Sequence, residues 1–330
     1  DWSSDVALPI YCEAAQFIIE DNPEFMERAL NIPKEIGERI RASWDADELS
    51  LYGRFDFILA KDGAPKILEF NADTPTSLLE ASVIQWQWKE DVFPECDQFN
   101  GIHEGLVQSW KDIFPKKGEI YFAGALENNE DTGTLQYLAS TAMEAGFSTR
   151  VLDMQALDLQ NGRFFDPAGE LVNRCFKLYP WEWMVDESPD GCLAEMEWLE
   201  PIWKLVMSNK AILATLYELF PDSPYVLPCY LSRPRSGLFC KKPVFSREGH
   251  NVSVVDIRNW EEHVRIAETE GDYNTGAYVY QEYVEPTVYS GRYPVIGSWI
   301  IGGEAAGIGI RENRMEVTDN LSEFVPHIIG

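Results

Sequence analysis

Three oxygen-bearing side chains, Asp56, Glu69 and Asn71, stand at alternate positions of two strand-like segments. On one face of a hairpin, two carboxylates directly opposite each other repel and destabilise the sheet unless a cation neutralises them. Carboxylate and amide oxygens are ligands that Mg²⁺ accepts, together with water and phosphate oxygens. Arg54, two residues before Asp56, suits an anionic group that bridges to such a metal. The pattern predicts a Mg²⁺ site beside a bound anion.

A hairpin over residues 52–70 is needed to bring these side chains together. Two stretches alternate apolar and polar residues, and Asp62-Gly63 between them is a favoured two-residue turn. That turn sets the two carboxylates opposite each other and Arg54 opposite Asn71. The alternate positions are expected to face a core, and they are Phe55, Phe57, Leu68 and Phe70. A proline in the second stretch implies an edge or a bulge, and a solvent-facing hairpin with paired salt bridges is the alternative interpretation.

Cations in unusual positions form a second candidate set. Lys210 stands at a predicted helix start, where a cation opposes the helix dipole. Lys242 ends a predicted strand before a short loop that could fold over phosphates, whose polar and small residues include Ser246, Arg247 and Gly249. A polar loop at 71–77, which leads into a helix start, could hold an anionic substrate group.

Two stretches near the C-terminus complete the set. Arg311 follows a run of small residues that allows a ligand to approach the backbone, although it could also be a surface arginine beside Glu312. The tract 278–285 reads either as an ordinary strand or as a hinge that lines a purine through Gln281. Two lysines and two arginines, added to an Asp/Glu/Asn metal set, suggest ATP with magnesium.

The elements that must position these residues alternate between helical and strand patterns. Apolar residues recur every four positions between Pro33 and Trp44, which predicts a helix with one buried face. A strand, a helix and a strand at 119–125, 132–146 and 148–153 predict a small β-α-β unit. Further helices are expected at 77–88 and from Ser208 to Phe220, and further strands at 238–245, 251–255, 277–284, 293–301 and 304–311.

Composition sets the class of the protein. The chain of 330 residues has 27 Lys+Arg against 55 Asp+Glu, a net charge of −28, which argues against a nucleic-acid or anionic-membrane partner and weakly favours cationic ligands. Six scattered cysteines without a C-x-x-C pair indicate a reducing, cytoplasmic compartment. No apolar run approaches the ~20 residues of a membrane span, and no export signal is evident. The sequence begins at Asp1 without a methionine, so its first residue does not define the N-terminus of the protein.

From about residue 44 onward the sequence resembles the glutathionylspermidine synthase family, in particular stand-alone synthetase modules without an amidase domain. The resemblance implies an α/β (α+β) ATP-grasp fold with a small β-α-β lobe of the pre-ATP-grasp type. The expected parts are 1–117 with the metal-binding hairpin, 118–190 as the small lobe, and 191–330 as the nucleotide-binding part. The matching stretches, in chain order, are Gly53–Asp56, Leu68–Leu78, Lys177–Trp183, Glu200–Lys204, Ser208–Ala211, Lys242–Gly249, Ile296–Trp299 and Gly307–Glu312.

The same resemblance implies roles for individual residues. The Mg²⁺ ligands would be Asp56, Glu69 and Asn71, and the groups that stabilise the transferring phosphoryl group would be Arg54, Arg311 and Arg247. ATP would be held by Lys210, Lys242, Ser246 and Gly249, with adenine lined by Gln281, Glu282, Tyr283 and Val284. The acid and the amine would be contacted by Thr74, Thr76, Glu130 and Asp131.

The reaction implied by the family is ATP-dependent ligation of an acid to an amine through an acyl phosphate, with ADP and phosphate as the other products. The acid would be glutathione, another peptide or another carboxylate, and the amine a polyamine or another small amine. Amide hydrolysis is not expected, because the chain has no room for an amidase module. Two alternatives remain: an inactive relative that binds a nucleotide or polyamine, and a carbohydrate hydrolase with paired carboxylates, in which the basic residues would have no role.

Overall fold

The computed structural model describes residues 2–247, 249–266, 269, 276–315 and 322–330. The helices are α1 Trp2–Gln16, α2 Pro23–Arg28, α3 Lys34–Asp45, α4 Gln85–Val92, α5 Ile102–Ile113, α6 Asn129–Glu144, α7 Trp181–Glu187, α8 Pro189–Cys192, α9 Lys204–Ser208 and α10 Ile212–Leu219. Two π-helical turns, Phe17–Asp21 and Glu80–Ile84, follow α1 and precede α4, and a short 3₁₀ turn covers Met154–Ala156.

The strands fall into four sheets. Their bounds are β1 Tyr52–Leu59, β2 Pro65–Asn71, β3 Glu119–Gly124, β4 Ser148–Asp153, β5 Asp158–Gln160, β6 Arg163–Phe165, β7 Leu171–Val172, β8 Arg174–Leu178, β9 Glu197–Leu199, β10 Cys229–Tyr230, β11 Gly237–Pro243, β12 Ser253–Arg258, β13 Glu261–Ile266, β14 Tyr278–Glu282, β15 Tyr293–Ile301, β16 Glu304–Asn313 and β17 Glu323–Val325. The architecture is α/β, as predicted.

The first sheet joins the two ends of the chain. Its order is β17-β16-β15-β1-β2, and every pair is antiparallel. Successive side chains of a strand point to opposite faces, so β1 presents Phe55 and Phe57 to the main core and Arg54 and Asp56 to the other side. Phe55 stacks on Phe70 of β2 with ring centroids 4.1 Å apart. This packing fixes the strand that carries the predicted metal ligand.

The hairpin of β1 and β2 has the predicted pairs at the site, Arg54 with Asn71 and Asp56 with Glu69. The predicted two-residue turn is wrong, however. The backbone N–H of Ala60 donates to the carbonyl of Ala64 at 2.8 Å, so the loop between them has three residues. A β-bulge next to Asp56 then shifts the register back by one residue. The extra loop residue and the bulge shift the register by one residue in opposite directions, so the pairs at the site are the predicted ones.

The bulge changes which residue of β2 faces the core. Ile67 is buried in the main core, whereas Leu68, which was expected there, is half-buried and faces the cavity described below. The prediction for Leu68 is therefore wrong, because the extra residue of the bulge turns it to the same side as Glu69.

The second sheet is also antiparallel, with the order β10-β14-β11-β12-β13. It contains the predicted strands at 238–245, 251–255 and 277–284, and β13 was not predicted. Lys242 pairs with Val279 in this sheet, and Gln281 pairs with Cys240. The sheet therefore places a lysine and a glutamine on neighbouring strands.

The third sheet is parallel and has the order β4-β3-β8-β9. The predicted β-α-β unit is its β3, α6 and β4. Helix α6 begins with a cap in which the Asn128 side chain accepts from the Glu130 backbone N–H at 2.9 Å, and acidic residues in its first turn suit the helix dipole. Strand β9 lies beyond residue 190, the predicted end of the small lobe, and the three-part division of the chain stays a prediction. A small antiparallel sheet of β5, β6 and β7 inserts before β8.

One predicted helix start is wrong. Ser208 is the last residue of α9, not a cap, and Lys210 lies in the turn between α9 and α10. The side chain of Asn209 accepts from the backbone N–H of Ala211 instead, at 2.9 Å. Lys210 is thus held by a turn, with its own backbone N–H donating to the carbonyl of Val244 at 2.9 Å. Within the described ranges, no helix combines the length and the apolar character that crossing a membrane requires.

Candidate active site

A cavity of about 1020 Å³ lies where the two five-stranded sheets meet the edge of the parallel sheet. It is lined by β1, β2 and β16 of the first sheet, by β11 and β14 of the second, and by the starts of α6 and α7. All eighteen site residues predicted from the sequence line this cavity. The structure therefore brings together side chains drawn from residues 54 to 311.

A carboxylate held by two arginines forms one wall. Asp56 accepts from Arg54 Nε at 2.6 Å and Nη2 at 3.0 Å, and from Arg311 Nη2 at 2.7 Å. Burial alone would raise the pKa of Asp56, but the two positive charges outweigh it and lower that pKa to about 2. The surface-arginine alternative for Arg311 is wrong, because its guanidinium is mostly buried against Asp56.

Acid unfolding should report on this cluster. The folded pKa of Asp56 lies below its ordinary value of 3.8, so the stabilisation is fully present above about pH 4 and is lost as the pH falls towards about 2. The shift corresponds to about 2 kcal/mol. Urea unfolding should give a higher free energy of unfolding for the wild type than for Asp56→Asn at about pH 5, and this difference should decrease by about the same amount on going to about pH 2. A difference that does not change with pH would contradict the pairing of Asp56 with the arginines.

Glu69 and Asn71 lie beside Asp56 on the neighbouring strand. Glu69 Oε2 is 3.0 Å from Lys210 Nζ, and Lys210 also donates to the Ser246 carbonyl at 2.6 Å. Burial would raise the pKa of Glu69, but the charge of Lys210 contributes most to lowering it. Asn71 Nδ2 donates to Asp56 at 3.1 Å and to Glu69 at 3.4 Å. The amide thus bridges the two carboxylates.

The chemistry of this donor set fits a hard divalent cation. Two carboxylates and one amide face the same cavity, and turning the Asn71 amide by half a rotation would present its oxygen in place of its nitrogen. Throughout the described ranges, no group of three or more His, Cys, Asp or Glu side chains could hold a metal. Any ion bound here would therefore need phosphate or water oxygens as further ligands, as Mg²⁺ usually does.

Gly297 gives Arg54 the space to lie flat across the sheet. It pairs with Asp56 across β1 and β15, and a Cβ there would lie 2.7 Å from Arg54 Cδ. The arginine cannot easily move away, because its guanidinium is tied to Asp56 and to the carbonyl of Thr76. The glycine is therefore part of what positions the arginine.

Gly297→Ala should leave the protein folded and lower turnover by roughly 100-fold, because small misplacements of a positioning group have effects of this size. Turnover is measured in the assay given below with the proposed function, and folding by circular dichroism. Gly37→Ala is the matched control, since its Cβ would meet only the end of the Met26 side chain among the described residues, with Cε at 3.5 Å and Sδ at 4.0 Å. Equal turnover in both variants would contradict the role given to Gly297.

Lys242 is fixed by the second sheet. Its Nζ donates to Gln281 Oε1 at 2.8 Å and to the Leu68 carbonyl at 3.2 Å, and Gln281 Nε2 donates to the Ile67 carbonyl at 2.9 Å. The Gln281 side chain, which is 2% exposed, orients the lysine through this hydrogen bond and also lines the cavity. The other members of the predicted purine-lining tract also face the cavity, and they are Glu282, Tyr283 and Val284.

The loop after β11 covers the opposite side. Arg247 donates from Nε at 3.1 Å and from Nη2 at 3.0 Å to Glu182 Oε1, and it also contacts Thr74 Oγ1. Ser246 Oγ is buried and has no hydrogen-bond partner among the described residues. Gly249, with φ of +69°, adopts a conformation that suits glycine, and it also lines the cavity. Glu248, between them, lies outside the described residues.

The residues predicted to contact the acid and the amine lie in the part of the cavity near the start of α6 and the loop after β2. Thr76 and Thr74 belong to the loop after β2, and Glu130 and Asp131 lie in the first turn of α6. Glu182 and Asp186 of α7, which were not predicted, also line the cavity. The stretch around Glu182 entered the sequence analysis only as part of the family resemblance, and its acidic residues at i and i+4 were the signal that was missed.

Comparisons with known proteins identify the family. The family model described as glutathionylspermidine synthase preATP-grasp matches residues 6–330. A Haemophilus influenzae protein provisionally named acid–amine ligase is 39% identical over 303 residues, which cover 87% of this chain and 77% of the relative. Trypanothione synthetase of Crithidia fasciculata is 28% identical over 348 residues, which cover 95% of this chain and 52% of the relative. The bifunctional glutathionylspermidine synthetase/amidase of Escherichia coli is 26% identical over 355 residues, covering 97% and 56%.

The chain thus spans about half the length of the last two relatives. Among solved structures, a glutathione synthetase-like effector from Globodera pallida in its apo form has a TM-score of 0.59 at 12% identity, covering 100% of this chain and 87% of that one. A Methylobacillus flagellatus protein provisionally named gamma-glutamylcysteine synthetase has a TM-score of 0.53 at 9% identity, covering 97% and 87%. These likenesses show the fold, which is of the glutathione synthetase ATP-grasp type. The chain belongs to the glutathionylspermidine synthase preATP-grasp family, a family of carbon–nitrogen ligases.

Proposed function

We propose that this protein is an ATP-dependent, ADP-forming ligase that joins a carboxylic acid to an amine through an acyl phosphate. One observation carries the proposal: in a chain with a net charge of −28, a single cavity is lined by two lysines and four arginines, together with the Asp56 and Glu69 carboxylates and the Asn71 amide. Binding of a polyanion explains why so acidic a chain gathers its scarce cations on one cavity. We assign the reaction to the cytoplasm, since all six cysteines are free thiols.

ATP would lie between the two antiparallel sheets. Lys210 and Lys242 would hold its phosphates, helped by the unpartnered hydroxyl of Ser246 and the backbone at Gly249. The base would lie along 281–284. Mg²⁺, held by Asp56, Glu69 and Asn71, would neutralise phosphate charge when bound. Lys210 would exchange its contact with Glu69 for one with a phosphate oxygen as the nucleotide binds.

The first step is attack of an acid oxygen on the γ-phosphorus of ATP. The bond between that phosphorus and the bridging oxygen breaks, ADP leaves with the bond's electron pair, and an acyl phosphate forms. Arg54, Arg311 and Arg247 line the cavity and would offset the charge on the transferring group, usually the largest single contribution to such catalysis. Thr74 and Thr76 would contact the acid.

The second step is attack of the neutral amine nitrogen on the acyl carbon. The carbon–oxygen bond to phosphate breaks, inorganic phosphate leaves with the bond's electron pair, and the nitrogen gives a proton to the departing phosphate or to water to form the amide. Glu130 and Asp131, in the first turn of α6, would attract a polyamine or another cationic amine. The loop that carries Arg247 would cover the intermediate, because an acyl phosphate exposed to water hydrolyses.

The test is phosphate release from ATP and Mg²⁺ by the purified protein, with a matrix of acids and amines and mass spectrometry of the products. Glutathione and small peptides serve as acids, and polyamines and amino acids as amines. The expected result is phosphate release that requires both an acid and an amine and yields a new amide mass. Nucleotide binding without turnover across the matrix would favour an inactive binding relative, and no nucleotide binding would overturn the proposal.

A further inference from the structure

A fully buried ion pair lies just behind the cavity. Lys177 Nζ donates to Asp73 Oδ1 at 2.6 Å, and the two side chains are 0% and 1% exposed. The other oxygen, Asp73 Oδ2, accepts from the backbone N–H of Trp181 at 2.8 Å, and Lys177 Nζ also donates to the Tyr179 carbonyl at 2.9 Å. Removing charges from water has a large cost, and no step of the proposed reaction uses either group.

The pair anchors the loop that carries the acid-contacting residues. Asp73 lies between Asn71 at the end of β2 and Thr74 in the loop. The loop is also held at its far end, where the carbonyl of Thr76 accepts from Arg54 Nη1. Arg247 also contacts Thr74 of this loop, but the attachment at Asp73 is the one that connects the loop to the parallel sheet.

On the other side, the pair is attached to the strands that position α6. Lys177 lies on β8 beside Ala123 of β3, and β3 ends one residue later at Gly124. A Cβ at Gly124 would lie 2.9 Å from Leu135 Cδ1 and 3.0 Å from the Leu178 carbonyl, so α6 packs tightly on the two strand ends. The first turn of α6 carries the two amine-contacting carboxylates.

We propose that Asp73 and Lys177 are positioning residues that set the acid-binding loop against the amine-binding start of α6, and so couple ATP consumption to amide formation. The inference rests on the proposed function and extends it to the geometry between the two substrates. Among the described residues, the hydrogen bonds of the two side chains join them to each other and to the backbone of Trp181 and Tyr179, and not to the groups proposed to hold ATP. Loss of the pair should therefore leave nucleotide binding intact and misplace the acyl phosphate relative to the amine.

A misplaced acyl phosphate has a different fate. Water attacks the acyl carbon in place of the amine, the carbon–oxygen bond to phosphate breaks, and the free acid and inorganic phosphate are released. The net reaction is then hydrolysis of ATP that still requires the acid. The number of phosphates released for each amide formed measures this loss of coupling, and a role in stability alone would not change that ratio.

The experiment compares phosphate release with amide formation in the wild type, Asp73→Asn and Lys177→Met. The wild type should release one phosphate for each amide. In the variants we expect amide formation to fall by roughly 10- to 100-fold, the effect of a small misplacement of reacting groups. Phosphate release should fall much less, and the dissociation constant for ATP should stay the same. Asp73→Asn retains an acceptor for the Trp181 N–H and serves if Lys177→Met does not fold.

Lys204→Met is the matched control. Lys204 is another buried lysine, 3.7 Å from the buried carboxylate of Glu200, but it donates to the Tyr52 carbonyl at the start of β1 and makes no hydrogen bond to the acid-binding loop among the described residues. Lys204→Met should be less stable than the wild type but should still release one phosphate for each amide formed. An unchanged ratio in both pair variants would overturn the inference, as would the same uncoupling in Lys204→Met. A wild type that makes no amide would instead sink the proposed function itself.

Discussion

Arg311→Ala should still bind ATP but almost stop consuming it. Arg311 contributes one hydrogen bond to Asp56, at 2.7 Å, while Arg54 contributes two, so the carboxylate keeps a partner and the sheet should remain folded. What is lost is the cation that the proposed mechanism puts beside the transferring phosphoryl group. An arginine in that position is worth about 10³ to 10⁵ in turnover for phosphoryl-transfer enzymes, so we expect a loss in that range.

The measurement is phosphate release at saturating ATP, with nucleotide binding followed by calorimetry. Arg292→Ala is the control, because Arg292 belongs to the same region of the sheet and pairs with Glu323 at 3.1 Å but does not line the cavity. Its turnover should match the wild type. Wild-type turnover in Arg311→Ala would remove this residue from the mechanism, and loss of ATP binding would make it a binding residue instead.

Glu69→Gln should abolish Mg²⁺-dependent ATP consumption at ordinary Mg²⁺ concentrations. Glutamine keeps the size of the side chain and can still accept from Lys210, whose Nζ lies 3.0 Å from Glu69 Oε2. The negative charge that a divalent cation needs is gone. Since even outer-shell partners of a metal are worth about 10–100-fold in affinity or activity, we expect a loss of more than about 100-fold.

A titration with Mg²⁺ separates this effect from a structural one. High Mg²⁺ should recover part of the activity of Glu69→Gln and none of that of Arg311→Ala. Glu262→Gln is the matched control, because Glu262 also pairs with a lysine, Lys241, at 2.7 Å and is similarly buried, but lies outside the cavity. An unaltered Mg²⁺ dependence in Glu69→Gln would exclude Glu69 as a metal ligand.

The local parts of this fold could be predicted from the sequence because they depend on short-range patterns. The helix at 34–45 and the strands at 293–301 and 304–313 follow from periodicity and from the glycines between the two strands. The pairing of Asp56 with Glu69 was predicted from a turn that is one residue too short, and it holds because the bulge compensates. Strand pairing at a site can therefore be right while the turn that implied it is wrong.

The long-range contacts could not be predicted in this way. In the sequence, Asp73 stands in the polar loop at 71–77 and Lys177 begins a stretch rich in aromatic residues, and nothing in their spacing shows that the two side chains meet. The same holds for Glu182 and Arg247, which lie 3.0 Å apart across the cavity. The charge of Lys210 is unfavourable at the helix start predicted there, and its ion pair with Glu69 explains why a lysine occupies this position. Such pairs depend on how separate sheets pack, which local patterns do not encode.

The position of β1 between β2 and β15 has a consequence for folding during synthesis on the ribosome. β1 ends at Leu59, whereas β15 begins at Tyr293, so the two are made far apart in time. Chain synthesis proceeds at about 5–20 residues/s, so β15 is made on the order of 10–50 s after β1. During this time the edge of β1 that later pairs with β15 has no partner strand. Any chain that stops before β15 also lacks Arg311 and leaves this edge open to other strands. Incomplete chains are thus both inactive and prone to aggregate, and they become targets for chaperones.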